Sequence, residues 1–185
     1  IDVNPLTSLP GNLSIQENVE KRIANKTHFS LLYVDLNSFK SFNDKYGFYT
    51  GDKVIKFTAE LLQNTVRKYG MLSDFVGHIG GDDFVVITES GNSITLAENI
   101  ISEFDKGIKQ FYNEEDIKNG FIVSTDRNNN IQKFPIMTIS IAIIATNVAH
   151  LTHFAEISKR ASDLKKVAKK SNKSSYVFER RKNCR

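Results

Sequence analysis

The chain has one cysteine in 185 residues, Cys184, and it lies in a polar tail beyond the last apolar run. Without a second thiol no disulfide framework forms within the chain, and a reducing cytoplasm is the expected setting. No apolar run approaches the roughly 20 residues of a helical membrane span, and no secretory leader opens the sequence. Neither a membrane span nor export is therefore expected. Coiled-coil heptads are also lacking, so nothing predicts a stable pairing of two copies. No internal repeat or linker divides the chain, and 40% hydrophobic content predicts one domain, residues 1–185, with a substantial core. Excess charge of one sign is small, at +4. The basic residues gather late: Lys165, Lys166, Lys169, Lys170, Lys173, then Arg180, Arg181, Lys182 and Arg185. Such a run reads as a solvated helix face followed by a tail. Nucleic-acid binding, the other reading of a basic cluster, is disfavoured by the scarcity of interleaved aromatics.

The most informative feature present is Gly80-Gly81-Asp82-Asp83-Phe84, set between the short apolar runs Asp74 to Ile79 and Phe84 to Ile87. Two β-like segments joined by Gly-Gly-Asp-Asp predict a tight hairpin, because glycine supplies positive φ and Asp tolerates it. Adjacent carboxylates repel and raise one another's pKa, and a divalent cation relieves that repulsion. Hard oxygen ligands of this kind suit Mg²⁺, with Mn²⁺ as the substitute. Gly80 and Gly81 would meanwhile let a triphosphate approach the backbone closely. An ordinary solvated turn is the competing reading.

A second acidic element precedes it. Ser30 to Val34 is an apolar run of the kind found in a buried central strand, and it ends in Asp35-Leu36-Asn37-Ser38-Phe39-Lys40. A carboxylate at the exit of a buried strand lies where open sheets place their ligands. Asp35 could equally serve as the N-cap of a helix beginning near Ser38. With Asp82 and Asp83 it would make a three-carboxylate magnesium site on neighbouring strands.

The sequence as a whole resembles a GGDEF domain, the catalytic module of diguanylate cyclases, which condense two GTP into cyclic di-GMP. Leu6 to Asn12, LTSLPGN, resembles the family's LTGLPNR entry segment. Asp35 to Asp52, DLNSFKSFNDKYGFYTGD, resembles DxDxFKxxNDxxGHxxGD. Gly80 to Phe84 is the signature, Met137 to Ile141 resembles the later TxSIG strand, and Ala161 to Lys173 resembles the last helix with its Ala168-Lys169 pair. The resemblance implies an α+β (α/β sandwich), palm-like nucleotidyl-cyclase fold, with a central, mainly antiparallel sheet and surrounding helices. It also implies roles. Asp35, Asp82 and Asp83, with the Leu36 carbonyl, would hold Mg²⁺ or Mn²⁺, and Asp82 would help deprotonate the attacking ribose hydroxyl. Asn43 and Asp52 would read guanine. Phe39, Lys40, Gly80, Gly81, Lys169 and Lys173 would line the phosphates, with Lys169 and Lys173 one helical turn apart on a shared face. GTP would be the substrate, and a transient homodimer would bring two half-sites together.

The departures from the family pattern are specific. Asp83 stands where the family has Glu, and one methylene fewer retracts the carboxylate by roughly 1.5 Å. Asn37 replaces the second Asp of DxD, Phe48 replaces a His, His78 replaces an Arg, and Ala142 replaces a Gly. The product-inhibition motif Arg-x-x-Asp reads Met71-Leu72-Ser73-Asp74, so Asp74 is kept while the Arg is gone. The strings LPGN and FVGHIGGDDFVVI, with the Lys-rich last helix, resemble GGDEF domains that accompany EAL phosphodiesterase or sensory domains. A chain that opens at Ile1 is consistent with such a module. Three functions follow: a diguanylate cyclase, a degenerate GTP-binding regulator of a neighbouring EAL domain, or a scaffold without nucleotide.

Periodicity predicts helices at about 14–26, 38–45, 51–69, 94–112 and 152–171. It predicts strands at about 30–36, a hairpin at about 73–89, a strand pair at about 120–126 and 132–146 joined by Arg127 to Asn130, and a last strand at about 174–179.

Overall fold

Strand β1 (Phe29–Asn37) runs through the middle of the main sheet, and its sequence FSLLYVDLN explains why. Leu32, Val34 and Leu36 are buried in one apolar cluster and Phe29 and Leu31 in another, the two-sided apolarity of a strand covered on both faces. The computed structural model describes residues 2–126, 128–146 and 153–179. Cys184, Arg127 and the basic tail from Arg180 onward lie outside the described residues.

β3 (Asp83–Glu89) and β6 (Thr138–Ala145) flank β1, both antiparallel to it. β2 (Phe75–Gly80) adds antiparallel outside β3, and β7 (Ser175–Phe178) adds parallel outside β6. The order is therefore β2-β3-β1-β6-β7. Helices α1 (Asn12–Ala24) and α6 (Phe154–Ala168) cover one face, where Ile15, Val19, Ile157 and Ala161 pack with Leu31, Val85 and Ile144. Helices α3 (Phe48–Tyr69) and α4 (Ser93–Gly107) cover the other, where Val54, Leu62, Leu96 and Phe104 pack with Val34, Phe84 and Ile141. The α+β class and the mainly antiparallel sheet are as the sequence predicts.

Several boundaries differ, each for a physical reason. The strand expected at about 132–146 is two strands. β5 (Ile131–Pro135) pairs with β4 (Phe121–Thr125) in a separate two-stranded sheet, while β6 belongs to the main one. Pro135 has no N–H to extend a ladder, so the chain leaves one sheet there and enters the other at Thr138. The helix expected to reach about residue 112 ends at Gly107 and continues as a 3₁₀ turn, Ile108–Phe111. A side chain at Gly107 would meet the Phe57 ring at 2.3 Å, so close packing selects glycine there. A short helix, α5 (Glu114–Asn119), has no counterpart in the sequence reading. Between β1 and α3 lies α2 (Phe39–Tyr46), which Gly47 ends at φ +88°.

No helix among the described residues is long and apolar enough to cross a membrane.

Candidate functional site

The β2–β3 turn is as tight as the glycines suggest. Gly80 pairs with Asp83, leaving Gly81 and Asp82 as the loop, and Gly80 and Gly81 adopt φ +151° and +53°. No atom lies within 4 Å of a Cβ built at either glycine, so the backbone here is open to an approaching anion. The turn is fixed from below by His78, which is buried and stacked on Phe84 with ring centroids 4.3 Å apart. Its ring nitrogens lie 2.9 Å from the Thr7 hydroxyl and 2.9 Å from the Gly81 carbonyl, and burial holds its pKa below the usual value. Thus the residue in the place of the family's Arg is a structural prop that ties the N-terminal segment to the signature loop.

Sheet register brings the carboxylates together. Asp35 on β1 lies directly opposite Asp83 on β3, and Asp82 occupies the adjoining turn. Oxygens from all three lie within 4.8 Å of one another. The shorter Asp83 side chain therefore still reaches the cluster. Burial and the neighbouring Asp35 charge push the Asp82 carboxyl up to about 6. Burial, with Asp35 alongside, pushes Asp83 up to about 7. Asp83 Oδ1 is buried and accepts no hydrogen bond. Three hard oxygen donors, with Asp82 and Asp83 raised and Asp83 Oδ1 lacking a hydrogen bond, suit a Mg²⁺ or Mn²⁺ ion.

Asp35 is not the cap of α2. Ser38 occupies the N-cap position with no side-chain cap bond, while Asp35 Oδ2 lies 2.6 Å from Lys169 Nζ. Lys169 Nζ also donates a long bond of 3.5 Å to the Leu36 carbonyl, the expected extra ligand. Ser38 itself holds φ +67°, an uncommon conformation for a serine, and it swings α2 sharply off the end of β1. That turn places Phe39 and Lys40, with Asp82 and Lys169, on the wall of a cavity of about 470 Å³. Asn37 is engaged elsewhere, donating to Thr138 Oγ1 at 2.8 Å and Ser140 Oγ at 2.7 Å across to β6.

Asn43 and Asp52 come from facing segments of α2 and α3. The Asn43 amide lies against Gly51, where an added Cβ would sit 1.8 Å from its Oδ1, and that buried oxygen accepts no hydrogen bond. Asp52 is exposed beside it. Lys173 is placed differently from the expectation. α6 ends at Ala168, and the Lys173 N–H donates to Ser171 Oγ in the turn that leads to β7. Ser and Asn at 171 and 172 favour such a turn over helix. Lys169 and Lys173 therefore share no helical face. The lysine one turn before Lys169 joins the site instead: Lys165 Nζ lies 3.5 Å from Asp35 Oδ2 and 3.6 Å from Asp83 Oδ1.

The sequence reading also missed Asp116 on α5. Its buried carboxylate accepts from Lys45 Nζ at 2.7 and 2.6 Å and from the Tyr46 hydroxyl, tying the end of α2 to α5. Burial pushes the Asp116 carboxyl up, but these donors outweigh it and hold the group below the usual carboxylate range. An available signal was Asn113 followed by three acidic residues, an N-cap and first turn. In the Met71–Asp74 window, Asp74 Oδ2 accepts the Met71 N–H at 2.9 Å, and Met71 is half exposed. Arg22 of α1 reaches this window, donating to the Ser73 carbonyl, and Arg67 lines the adjoining cavity with Met71 and Asp74.

Comparison with known proteins bears directly on this arrangement. The sequence model of the family described as "Diguanylate cyclase, GGDEF domain" matches residues 1–133. The bifunctional diguanylate cyclase/cyclic di-GMP phosphodiesterase MucR of Pseudomonas aeruginosa is 31% identical over 108 residues, 55% of this chain and 15% of that protein. The signaling protein YkoW of Bacillus subtilis is 29% identical over 183 residues, 94% of this chain and 20% of that protein. The chain thus spans a fifth or less of the length of either relative. Among solved structures, the GGDEF domain of YfiN from Pseudomonas aeruginosa superposes with a TM-score of 0.68 at 21% identity, covering 95% of this chain and 93% of that one.

Proposed function

The chain belongs to the diguanylate cyclase GGDEF domain family, and on that premise we propose that it condenses two GTP into cyclic di-GMP with release of two pyrophosphates. The observation that carries this is the meeting of Asp35, Asp82 and Asp83 oxygens within 4.8 Å, beside a cavity walled by Phe39, Lys40 and Lys169. Asp35, Asp82, Asp83 and the Leu36 carbonyl would hold Mg²⁺ or Mn²⁺. Such an ion supplies positive charge against the triphosphate and the transferred phosphoryl group. Lys40 and Lys169 bind the phosphates, and the open backbone at Gly80 and Gly81 lets them approach. Asn43 and Asp52 select guanine, the amide donating and accepting while the carboxylate accepts from base N–H groups. Asp82, with its pKa raised toward neutrality, takes the proton from the 3′-hydroxyl of the second GTP. Each domain holds one nucleotide, so two copies meet face to face in a transient homodimer. With Met71 in place of Arg, the window at Asp74 lacks the bidentate grip on product.

A second reading is favoured by one observation: lysine ammonium groups lie against Asp35 and Asp83, and the Asp83 side chain is short. Under that reading the chain binds GTP and regulates a neighbouring EAL domain in a larger cytoplasmic protein. Incubation with GTP and Mg²⁺ followed by product chromatography separates the two. Cyclic di-GMP is the expected product, and bound but unconverted GTP favours the regulator.

Guanine selection gives a sharper expectation. Gly51→Ala places a methyl group where the Asn43 amide now sits, and Asn43 must move. In a helix interior the same change favours folding by about 0.5–1 kcal/mol. GTP affinity should fall by about tenfold while the thermal midpoint holds or rises, as read by calorimetric titration and melting. Unchanged GTP affinity would detach Asn43 from the base.

Metal binding should depend on pH in a defined direction. Asp82 and Asp83 have folded-state pKa values raised above the ordinary 3.8. The metal-free fold therefore prefers them protonated and loses stability as pH rises from about 4 through about 7. A divalent ion binds the deprotonated pair and reverses that loss. Added Mg²⁺ should raise the thermal midpoint far more at pH 8 than at pH 5. Equal shifts at both pH values would mean that other groups bind the ion.

A further inference from the structure

Lys165 lies in the last-helix segment Ala161 to Lys173 without a role assigned to it there, yet its ammonium group lies between two of the three carboxylates. Nζ is 3.5 Å from Asp35 Oδ2, 3.6 Å from Asp83 Oδ1 and 4.7 Å from the centroid of the Tyr33 ring. Its side chain is 18% exposed, whereas that of Lys166, the next residue, is 76% exposed and faces water. A solvated-face lysine does not bury its charge in this way, because desolvating an ammonium group is unfavourable unless anions repay it. Lys169 differs in kind: it pairs with Asp35 Oδ2 at 2.6 Å but is 37% exposed and lines the cavity, where an incoming phosphate can share its charge. Lys165 is not among the residues lining that cavity and is held from three sides.

We propose that Lys165 is a resident cation of the carboxylate cluster, bridging Asp35 and Asp83 and competing with a divalent ion for the same oxygens. The inference rests on reading the cluster as a divalent-cation site. It follows that the ion binds weakly while Lys165 keeps its place. A triphosphate offers the displaced ammonium group a new anion, so metal and nucleotide should load together rather than in sequence. Lys165 is thus a positioning residue that acts through Asp35 and Asp83. Its sign is distinctive. A lysine that merely supported the fold would weaken metal binding when removed, whereas a competitor strengthens it.

The test is direct Mn²⁺ binding to the 185-residue chain without nucleotide, followed by electron paramagnetic resonance of the free ion. Lys165→Met and Lys165→Gln keep an unbranched stem one atom shorter and remove its charge. Each should tighten Mn²⁺ binding on the order of tenfold, the scale of one lost charge-assisted contact. Lys165→Arg keeps the charge and should stay within about threefold of the parent, the context scatter expected of one such contact. Adding a non-hydrolysable GTP analogue should tighten Mn²⁺ binding more in the parent than in Lys165→Met. Unchanged or weaker binding in both neutral variants, with melting curves like the parent's, overturns the inference and leaves the cation site standing. If neither the parent nor the variants bind Mn²⁺, the cation-site reading itself fails and this inference falls with it.

Discussion

Asp35→Asn is expected to abolish turnover and the thermal shift produced by Mg²⁺. Asp35 is 3% exposed, stands opposite Asp83 in the sheet and contributes an oxygen to the three-carboxylate cluster. An amide oxygen is a neutral and much poorer partner for a hard cation than a carboxylate. Residues that only support a metal ligand typically change activity by about 10–100-fold, so loss of a ligand should exceed about a hundredfold. The same change leaves Lys165 and Lys169 without their shared anion, and both ammonium groups must find Asp83, Asp82 or water instead. Far-UV circular dichroism should show the fold intact, which separates loss of the site from loss of structure. Wild-type turnover in Asp35→Asn would move the metal site elsewhere.

Asp116→Ala should produce the largest loss of stability away from the carboxylates. Asp116 is 4% exposed, and its carboxylate accepts from the Lys45 ammonium group and the Tyr46 hydroxyl. Removing it strands the Lys45 ammonium and the Tyr46 hydroxyl in a partly buried place. Two lost contacts, one of them charged, come to about 2–3 kcal/mol once the partial exposure of Lys45 is allowed for. At this chain length that corresponds to a fall in melting temperature of roughly 5–10 °C. The helix so loosened is α2, which carries Phe39, Lys40 and Asn43 but none of the carboxylates. KM for GTP should therefore rise while kcat changes little. A drop in kcat at unchanged KM would mean that Asp116 reaches the chemistry by another route.

What the sequence makes legible follows how local each signal is. Asp35, Asp82 and Asp83 stand in short motifs whose neighbours, a buried strand and a glycine turn, fix where the carboxylates go. Their convergence needs only that β1 and β3 be adjacent, which the hairpin and the apolar patterns imply. Lys165 was hidden because a lysine on a basic helix looks the same whether it faces water or a carboxylate. Only the packing of α6 across β1 decides between them. The shared helical face of Lys169 and Lys173 was misread for the opposite reason: that spacing assumes helix, and the Ser-Asn turn ends the helix first. The split of the 132–146 segment turned on Pro135, a residue whose missing N–H is a readable signal. α5 was readable from Asn113 and the acidic turn after it, but six residues show little apolar periodicity. His78 could not have been placed from sequence, since its partners Thr7 and Gly81 depend on the N-terminal segment folding back under the hairpin.

Fusing a parallel dimeric coiled coil ahead of Ile1 tests the proposed chemistry most directly. Two half-sites must meet for the second GTP to attack, and the fusion raises the effective concentration of each for the other, to the millimolar range for a short linker. The isolated chain should be mainly monomeric at micromolar concentration, with turnover that rises more steeply than linearly with its concentration. The fused dimer, given GTP and Mg²⁺, should release two pyrophosphates for each cyclic di-GMP, at a specific activity well above that of the isolated chain. A fused dimer that binds GTP, retains the Mg²⁺-dependent thermal shift and still makes no cyclic di-GMP would contradict the enzymatic account and leave the chain a GTP-binding regulator.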